Sequence, residues 1–305
     1  MLIATIPQVH QEALLKLIIE HPAVDAVRFN TGATSAYDPY ETVARIATAV
    51  SKVKKPVYID LKGKQLRVVE WANLPDGPIL VNHKIEVELP ARVFFRGDDR
   101  CNLCKVVNGN ELFVDPLPKA PVGRGQAVNI ISNNLKIAGG LTDRDHEYIK
   151  AALAEGITKF LLSFVESWDD VKELEEAIAF YGKGIANKCE IGLKIESKAG
   201  VDFVKNNAKD KFGGRYKLMA ARDDLMIQVG LLRVPDALRA IIKKDKSAIC
   251  ASRLLLGLER GAVSLADVSD MLYMRDLGYE HFMLCDGISR EHAQEALDFW
   301  QECYS

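Results

Sequence analysis

Apolar residues in this chain follow two alternating rhythms. Short runs, apolar at mostly consecutive positions, occupy 2–6, 24–30, 57–62, 160–165, 191–196, 217–222, 248–252 and 282–286. They are rich in Val, Ile, Leu and Phe, as strands covered on both faces are. Between them apolar residues recur at helical spacing, as Ala13, Leu14, Leu17 and Ile18 do within 11–20, and Val43, Ile46, Ala47 and Val50 within 41–53. Thr142 opens another helical run, 142–156, with Asp145 three residues on. Ser167, Ser264 and Ser289 open later ones, with acidic residues in the first turn. Eight strand–helix units imply parallel crossovers and predict an α/β fold, a (β/α)8 barrel of the TIM type. An open doubly wound sheet is the alternative, but no Gly-x-Gly-x-x-Gly follows the first strand.

Between Arg67 and Leu141 the helical rhythm stops. Strand-like pieces at 79–81, 84–89, 93–95, 105–107 and 111–114 are separated by turn residues at 75–78, 108–110 and 116–125. This predicts an all-β insertion, residues 68–139, after the third strand, with 1–67 and 140–305 forming the barrel. Loops that follow barrel strands emerge at the catalytic face, so the insertion is expected to cover the site as a lid.

The strand ends carry the chemistry. Leu193-Lys194-Ile195-Glu196 ends a buried strand in charge, and alternation puts Lys194 and Glu196 on one face. The next strand runs into Arg222, Asp223 and Asp224. If the two strands are neighbours, Glu196 and Asp224 converge beside Lys194. Earlier strands end in Arg28 and Asn30 and in Asp60 and Lys62, with Arg67 following; later ones end in Ser163, in Ser252 and Arg253, and in Cys285 and Asp286. Four cations (Arg28, Lys62, Arg67, Lys194) thus face a carboxylate cluster. That balance suits a phosphorylated or polycarboxylate substrate bound with a hard divalent cation. No Ser-His-Asp set is evident, because only His281 lies on a barrel strand, at its start.

Bulk properties narrow the classes. The 305 residues are 48% hydrophobic and 27% charged, as in ordinary globular proteins. A formal net charge of −2 gives no electrostatic case for nucleic acid or an anionic membrane. No apolar run approaches the ~18 residues of a membrane span. The first residues lack the features of a signal peptide, so a cytoplasmic location is expected. Of the six cysteines, Cys189, Cys250 and Cys285 sit in or beside apolar runs, where free Cys acts as a small hydrophobe. Cys101 and Cys104 form a single C-x-x-C with no second pair, which reads as a reduced structural pair rather than a zinc site.

Taken in order, these motifs resemble the pyruvate kinase family over nearly the whole chain. Arg28-Phe29-Asn30 resembles the family's Arg-x-Asn, and Asp60-Leu61-Lys62-Gly63 with Arg67 its Asp-Thr-Lys-Gly-Pro-x-x-Arg. Leu141–Asp145 and Leu162–Val165 match the return from the lid and the fourth strand; Leu193–Glu196 and Met219–Leu225 match the lysine and metal-ligand motifs. Segments 249–252, 266–270 and 282–284 follow in family order. The resemblance implies that Glu196 and Asp224 hold Mg2+ or Mn2+, and that Lys194 stabilises the transferring phosphoryl group. It places Arg28 on the substrate phosphate with Arg67 nearby, and Ser252 where a threonine assists enolate protonation. Asn30 and Asp223 fall within the substrate pocket. Thr5, Pro7 and Arg67 would approach a nucleotide.

Several positions depart from the family. Gly32-Ala33 replaces a Ser-His pair, and Leu61 replaces a threonine of the monovalent-cation site. Only Asn30 and Asp60 remain of that site, so K+ is not expected. Asp223 replaces a glycine, Glu166 stands for a basic residue and Gly287 for a glutamate. The chain as given ends at Ser305, with no counterpart of the family's C-terminal regulatory domain. Three readings follow: phosphoryl transfer between phosphoenolpyruvate and a nucleotide, through an enolpyruvate intermediate; a metal-dependent lyase or aldolase acting through a pyruvate enolate; and a non-catalytic binding relative. The expected partner is a small phosphorylated or 2-oxo acid substrate, with a nucleotide in the first reading. A homo-oligomer is compatible with all three.

Overall fold

A computed structural model of the chain describes residues 1–33, 35–95 and 99–304. Eight parallel strands close into a barrel: β1 (Leu2–Thr5), β2 (Ala26–Asn30), β3 (Val57–Leu61), β11 (Lys159–Leu162), β12 (Glu190–Ile195), β13 (Tyr216–Ala221), β14 (Ile249–Ala251) and β15 (His281–Met283). β1 pairs with both β2 and β15, which closes the ring. The chain is thus an α/β protein with a TIM-type barrel. Every barrel strand lies within three residues at either end of its apolar run, because strands flanked by helices bury both faces.

Helices α1 (Glu12–Glu20), α2 (Pro39–Ser51), α3 (Asp143–Ala154), α4 (Trp168–Tyr181), α5 (Lys198–Asn206), α6 (Arg222–Val229), α7 (Val234–Lys244), α8 (Leu265–Leu277), α9 (Asp286–Glu291) and α10 (Ala293–Tyr304) follow or flank these strands. Thr142, Ser167 and Ser264 each cap a helix in a reciprocal box with an aspartate three residues on. Ser289 does not: it is buried inside α9, which starts at Asp286. Arg222, Asp223 and Asp224 likewise open α6 rather than end β13. Among the described residues no helix is long and apolar enough to cross a membrane.

Between β3 and β11 lie the insertion's strands: β4 (Ile79–Leu80), β5 (Ile85–Glu86), β6 (Ala91–Phe95), β7 (Asp99–Val107), β8 (Glu111–Asp115), β9 (Val128–Ile131) and β10 (Lys136–Ile137). Five form one antiparallel sheet in the order β4-β8-β7-β6-β9, and β5 pairs with β10. The insertion has its own apolar core, including Val93, Phe95, Leu103, Leu112 and Ile130. β9 and β10 carry no clear alternation in sequence and were not expected as strands. β7 extends well upstream of 105–107 and takes in both cysteines of the C-x-x-C. Cys101 is buried and Cys104 exposed, on opposite faces of the strand, so the pair cannot share a metal ion.

The barrel interior explains where the site lies. Ile3, Ala26, Tyr58, Leu161, Met219, Ile249 and Met283 form an apolar layer inside the ring. Two residues further along the strands the same face presents Thr5, Arg28, Asp60, Ser163 and Lys194, all buried. The polar layer therefore sits at the C-terminal ends of the strands, above an apolar plug. Two ties set the geometry of the insertion's exit. Asp145, in the capping box of α3, accepts from the backbone N–H groups of Lys62 and Gly63 at 2.8 and 3.1 Å. His83 of the insertion lies 2.9 Å from the Gly63 carbonyl oxygen and 3.1 Å from that of Ala138.

Beneath Lys194 on β12, Gly192 makes room for a neighbour: a Cβ there would lie 2.4 Å from Leu161 Cδ2. Gly192→Val should overpack this layer and lower stability by about 1–3 kcal/mol in urea unfolding. Unchanged stability would contradict the described interior packing.

Candidate active site

Asp60 is the hub of the polar layer. It is fully buried, and its Oδ2 accepts from Arg28 Nε at 2.9 Å and from Arg28 Nη2. Lys194 Nζ lies 3.2 Å from Oδ1, and Lys62 Nζ 3.4 Å from Oδ2. Burial alone would raise the Asp60 carboxyl, but Lys194, Lys62 and Arg28 overcome this and hold it far below the ordinary carboxylate range. Arg28 also donates to Thr5 Oγ1 at 3.1 Å and to Asp286 Oδ2 at 2.7 Å. Asn30 is equally engaged: Nδ2 donates to both Asp286 oxygens and Oδ1 accepts from Gly32 N–H.

One carboxylate cannot satisfy three cations. Burial pushes the Lys62 ammonium down, and Lys194, Arg67 and Arg28 add repulsion that Asp60 does not cancel. Lys194 fares better. Burial opposes its charge, but Asp60 and Glu196 more than compensate, so its proton is held more tightly than usual. Its Nζ also donates to Ser163 Oγ at 2.7 Å and lies 3.3 Å from Glu196 Oε1.

Glu196 shows the opposite imbalance to Lys62. Burial raises its carboxyl, and Asp224 and Asp60 raise it further, against the pull of Lys194 and a hydrogen bond from the Phe164 N–H at 2.8 Å. Asp224 accepts from Gln65 Nε2 at 3.1 Å and from Asn129 Nδ2 at 2.7 Å. Glu196 and Asp224 line one cavity as two mutually repelling hard oxygen donors, a set that fits Mg2+ or Mn2+ better than a soft metal.

The cavity measures about 570 Å3 and is lined by Arg28, Asn30, Lys62, Arg67, Lys194, Glu196, Asp223, Asp224, Ser252, Arg253 and Asp286, among others. A wider cleft of about 700 Å3, beside Asp25, Arg275 and Glu280, contains none of these strand-end charges. On the far side of Lys62 and Arg67 a further cavity of about 340 Å3 adds Arg124 and Arg144. Arg67 sits between the two: its guanidinium donates to Gln65 Oε1 at 2.8 and 3.0 Å and to the Gly125 carbonyl. Gly32 makes this placement possible, since a Cβ there would meet the Arg67 guanidinium carbon at 2.8 Å and Lys62 Cε at 2.9 Å.

Ser252 and Arg253 adopt left-handed backbone, φ 66° and 57°, unusual for non-glycine residues and a form of strain that collects at ligand-handling turns. Ser252 and Asp223 line the same cavity. Asp223 faces water across the cavity but is packed by protein elsewhere. That packing raises its carboxyl; Arg253, 3.4 Å away, pulls it down and Asp224 pushes it back up.

The structure thus brings together Arg28, Asn30, Asp60, Arg67, Lys194, Glu196, Asp223, Asp224 and Ser252. It does not bring Thr5 and Pro7 to either cavity. Both are buried, and the Thr5 hydroxyl donates to the Leu284 carbonyl at 2.9 Å while accepting from Arg28, so it positions that arginine. Lys62, expected among the strand-end cations, and Asp286, expected as a strand-end charge, also line the cavity; sequence reasoning passed over Gln65 and Asn129. Gln65 lay in plain view between Lys62 and Arg67, whereas Asn129 belongs to the insertion and had no local signal.

A (β/α)8 barrel with an all-β insertion beside a charged mouth is the class that fold and site define. Comparison narrows it: a family model described as "Pyruvate kinase, barrel domain" matches residues 97–274, more than half of the chain. The chain belongs to the pyruvate kinase family. The pyruvate kinase of Thermotoga maritima is 27% identical over 277 residues, covering 81% of this chain and 58% of that protein. That of Thermoplasma acidophilum is 26% identical over 293 residues, covering 88% and 51%. That of Methanocaldococcus jannaschii is 27% identical over 232 residues, covering 72% and 49%. The chain spans about half the length of the curated relatives it matches.

Removing the Asp60 charge would leave Arg28, Lys62 and Lys194 buried without their shared partner. Asp60→Asn should therefore cost about 3–5 kcal/mol of stability at neutral pH. Because the folded carboxyl is depressed, its contribution is complete above the unfolded range near pH 4 and is lost as pH falls further. Chemical denaturation at pH 7 and pH 3 should show the wild-type advantage narrowing in acid; an equal gap at both would contradict the assignment.

Proposed function

We propose that this chain catalyses phosphoryl transfer between phosphoenolpyruvate and a nucleoside diphosphate, with divalent-cation assistance. One observation carries the reading: a single cavity sets the cations Arg28, Lys62, Arg67 and Lys194 beside the carboxylates Glu196 and Asp224. An anion answers the first and a divalent cation the second, and a phosphorylated carboxylate bound with Mg2+ supplies both. The adjoining basic cavity supports a polyphosphate on the other side of Arg67. The insertion, residues 68–139, then acts as a lid over this mouth.

Glu196 and Asp224 would hold the cation, which would polarise the enol oxygen and screen charge on the phosphoryl group. Lys194, anchored by Asp60 and Ser163, neutralises the phosphoryl group in flight. Lys62 and Arg67 hold phosphate oxygens between the two cavities, and Arg28 holds Asp60 and the substrate side of the layer. As the phosphorus–oxygen bond to the enol breaks, the terminal nucleotide oxygen takes the phosphoryl group. The enolate then takes a proton from water, relayed by the cavity-lining Ser252 hydroxyl, at its methylene carbon and leaves as pyruvate.

A second reading, a metal-dependent lyase acting on a 2-oxo acid, draws on Asp223. It stands on the cavity wall 3.4 Å from Arg253, a carboxylate that phosphoryl transfer does not require.

Lys194→Met should lower phosphoryl-transfer turnover by on the order of a hundredfold to a thousandfold. With Mg2+ and any phosphate cofactor present, it should still exchange the methyl protons of pyruvate in D2O, followed by proton NMR. Exchange in the wild type, without transfer to any nucleotide, would favour the lyase; neither activity would point to a non-catalytic relative. A further expectation concerns K+. Asp60 is occupied by three protein cations, Asn30 by Asp286 and Gly32, and Arg67 fills the space beside Gly32. Replacing K+ by tetramethylammonium at constant ionic strength should change the rate by less than about twofold. A large loss would mean that other groups rebuild a K+ site.

A further inference from the structure

Two joined segments at the base of the insertion, the hinge, each send one amide side chain to the same carboxylate. From 64–69, where the chain leaves the barrel, Gln65 Nε2 donates to Asp224 Oδ2 at 3.1 Å. From 125–130, inside the insertion, Asn129 Nδ2 on β9 donates to Asp224 Oδ1 at 2.7 Å. Both amide residues are only 4% exposed. The two segments are also joined through backbone, with Val128 N–H donating to the Leu66 carbonyl and Val68 N–H to that of Gln126, both at 2.9 Å. Asp224 belongs to α6 of the barrel, so one barrel carboxylate fastens both hinge segments.

Each amide is held at its other end as well. Arg67 donates to Gln65 Oε1, and Gln228 Nε2 donates to Asn129 Oδ1 at 2.9 Å. An ionised carboxylate only accepts hydrogen bonds, so both amides must turn their nitrogens toward Asp224, and the network leaves no freedom to flip them. Each Asp224 oxygen takes one such bond and keeps acceptor capacity for a cation.

We propose that Gln65 and Asn129 are positioning residues that hold Asp224 for a divalent cation and so couple cation binding to the attachment of the insertion. This rests on reading Glu196 and Asp224 as the cation ligands. The coupling has a simple origin. The two amides and the cation call for one and the same Asp224 rotamer, and whichever binds first bears the cost of ordering it. Binding free energies are linked, so a cation that is held better by a fastened hinge must in turn fasten the hinge. Partners that orient metal ligands typically change affinity by about tenfold or more.

The test uses the whole chain, with Mn2+ as probe. Calorimetry measures its affinity, and hydrogen exchange with and without Mn2+ follows peptides covering 64–69 and 125–130. Wild type should bind Mn2+, Glu196→Gln should lose it, and Mn2+ should slow exchange in both hinge peptides. Asn129→Ala and Gln65→Met should each weaken Mn2+ binding by about tenfold and abolish the Mn2+-dependent slowing. The two variants act from different segments, so either carries the test if the other does not fold. A purely structural role would speed hinge exchange equally with and without Mn2+ and leave affinity at the wild-type value; that result overturns the coupling while the cation reading stands. Absence of Mn2+ binding in the wild type overturns both.

Discussion

A single buried carboxylate, Asp60, organises this molecule's chemistry. It sits one layer above the apolar plug of the barrel and draws Arg28, Lys62 and Lys194 into a space that none of them would enter alone. An isolated cation in such a place loses its hydration and its charge becomes costly. With Asp60 present, two of the three cations are held firmly charged and the third, Lys62, is left short. On the proposed function, this shortfall serves as a demand for an anion at the mouth of the barrel.

The acidic side mirrors this. Lys194 is already committed to Asp60 and Ser163 and only partly offsets Glu196, which Asp224 repels. A demand for a cation therefore stands beside the demand for an anion. Neither could persist in water, where both charges would be solvated; burial makes each dependent on an incoming partner. The segment leaving the barrel and the insertion's β9 both end on Asp224, through Gln65 and Asn129. Charge balance at the mouth and attachment of the insertion thus share one residue, Asp224.

Much of this was legible from sequence, for identifiable reasons. Barrel strands announce themselves because burial on both faces leaves runs such as Phe160-Leu161-Leu162 with no polar alternation. Thr142, Ser167 and Ser264 were readable as caps because each has its aspartate three residues on. Ser289 misled: Asp286 already starts α9, and the serine hydroxyl is buried without a hydrogen-bond partner among the described residues. Within the site, strand-end charges such as Lys194 and Glu196 were visible because charge is rare at the end of a buried strand. Thr5 and Pro7 were expected beside a nucleotide, but Thr5 spends both its bonds on Arg28 and Leu284. Asn129 was hidden altogether. It stands far from Asp224 in sequence, on a strand without a clear pattern, and only the packing of β9 against α6 brings the two together.

The proposed function requires one cavity to call for a cation and an anion together. A titration of Mn2+ followed by electron paramagnetic resonance, with and without oxalate, tests it most directly. Oxalate is a planar dianion with the shape of the pyruvate enolate. If Lys62 and Glu196 are the two open demands, oxalate should tighten Mn2+ binding by roughly tenfold or more, and Mn2+ should tighten oxalate by the same factor. Superimposable Mn2+ curves in the two conditions would contradict the claim.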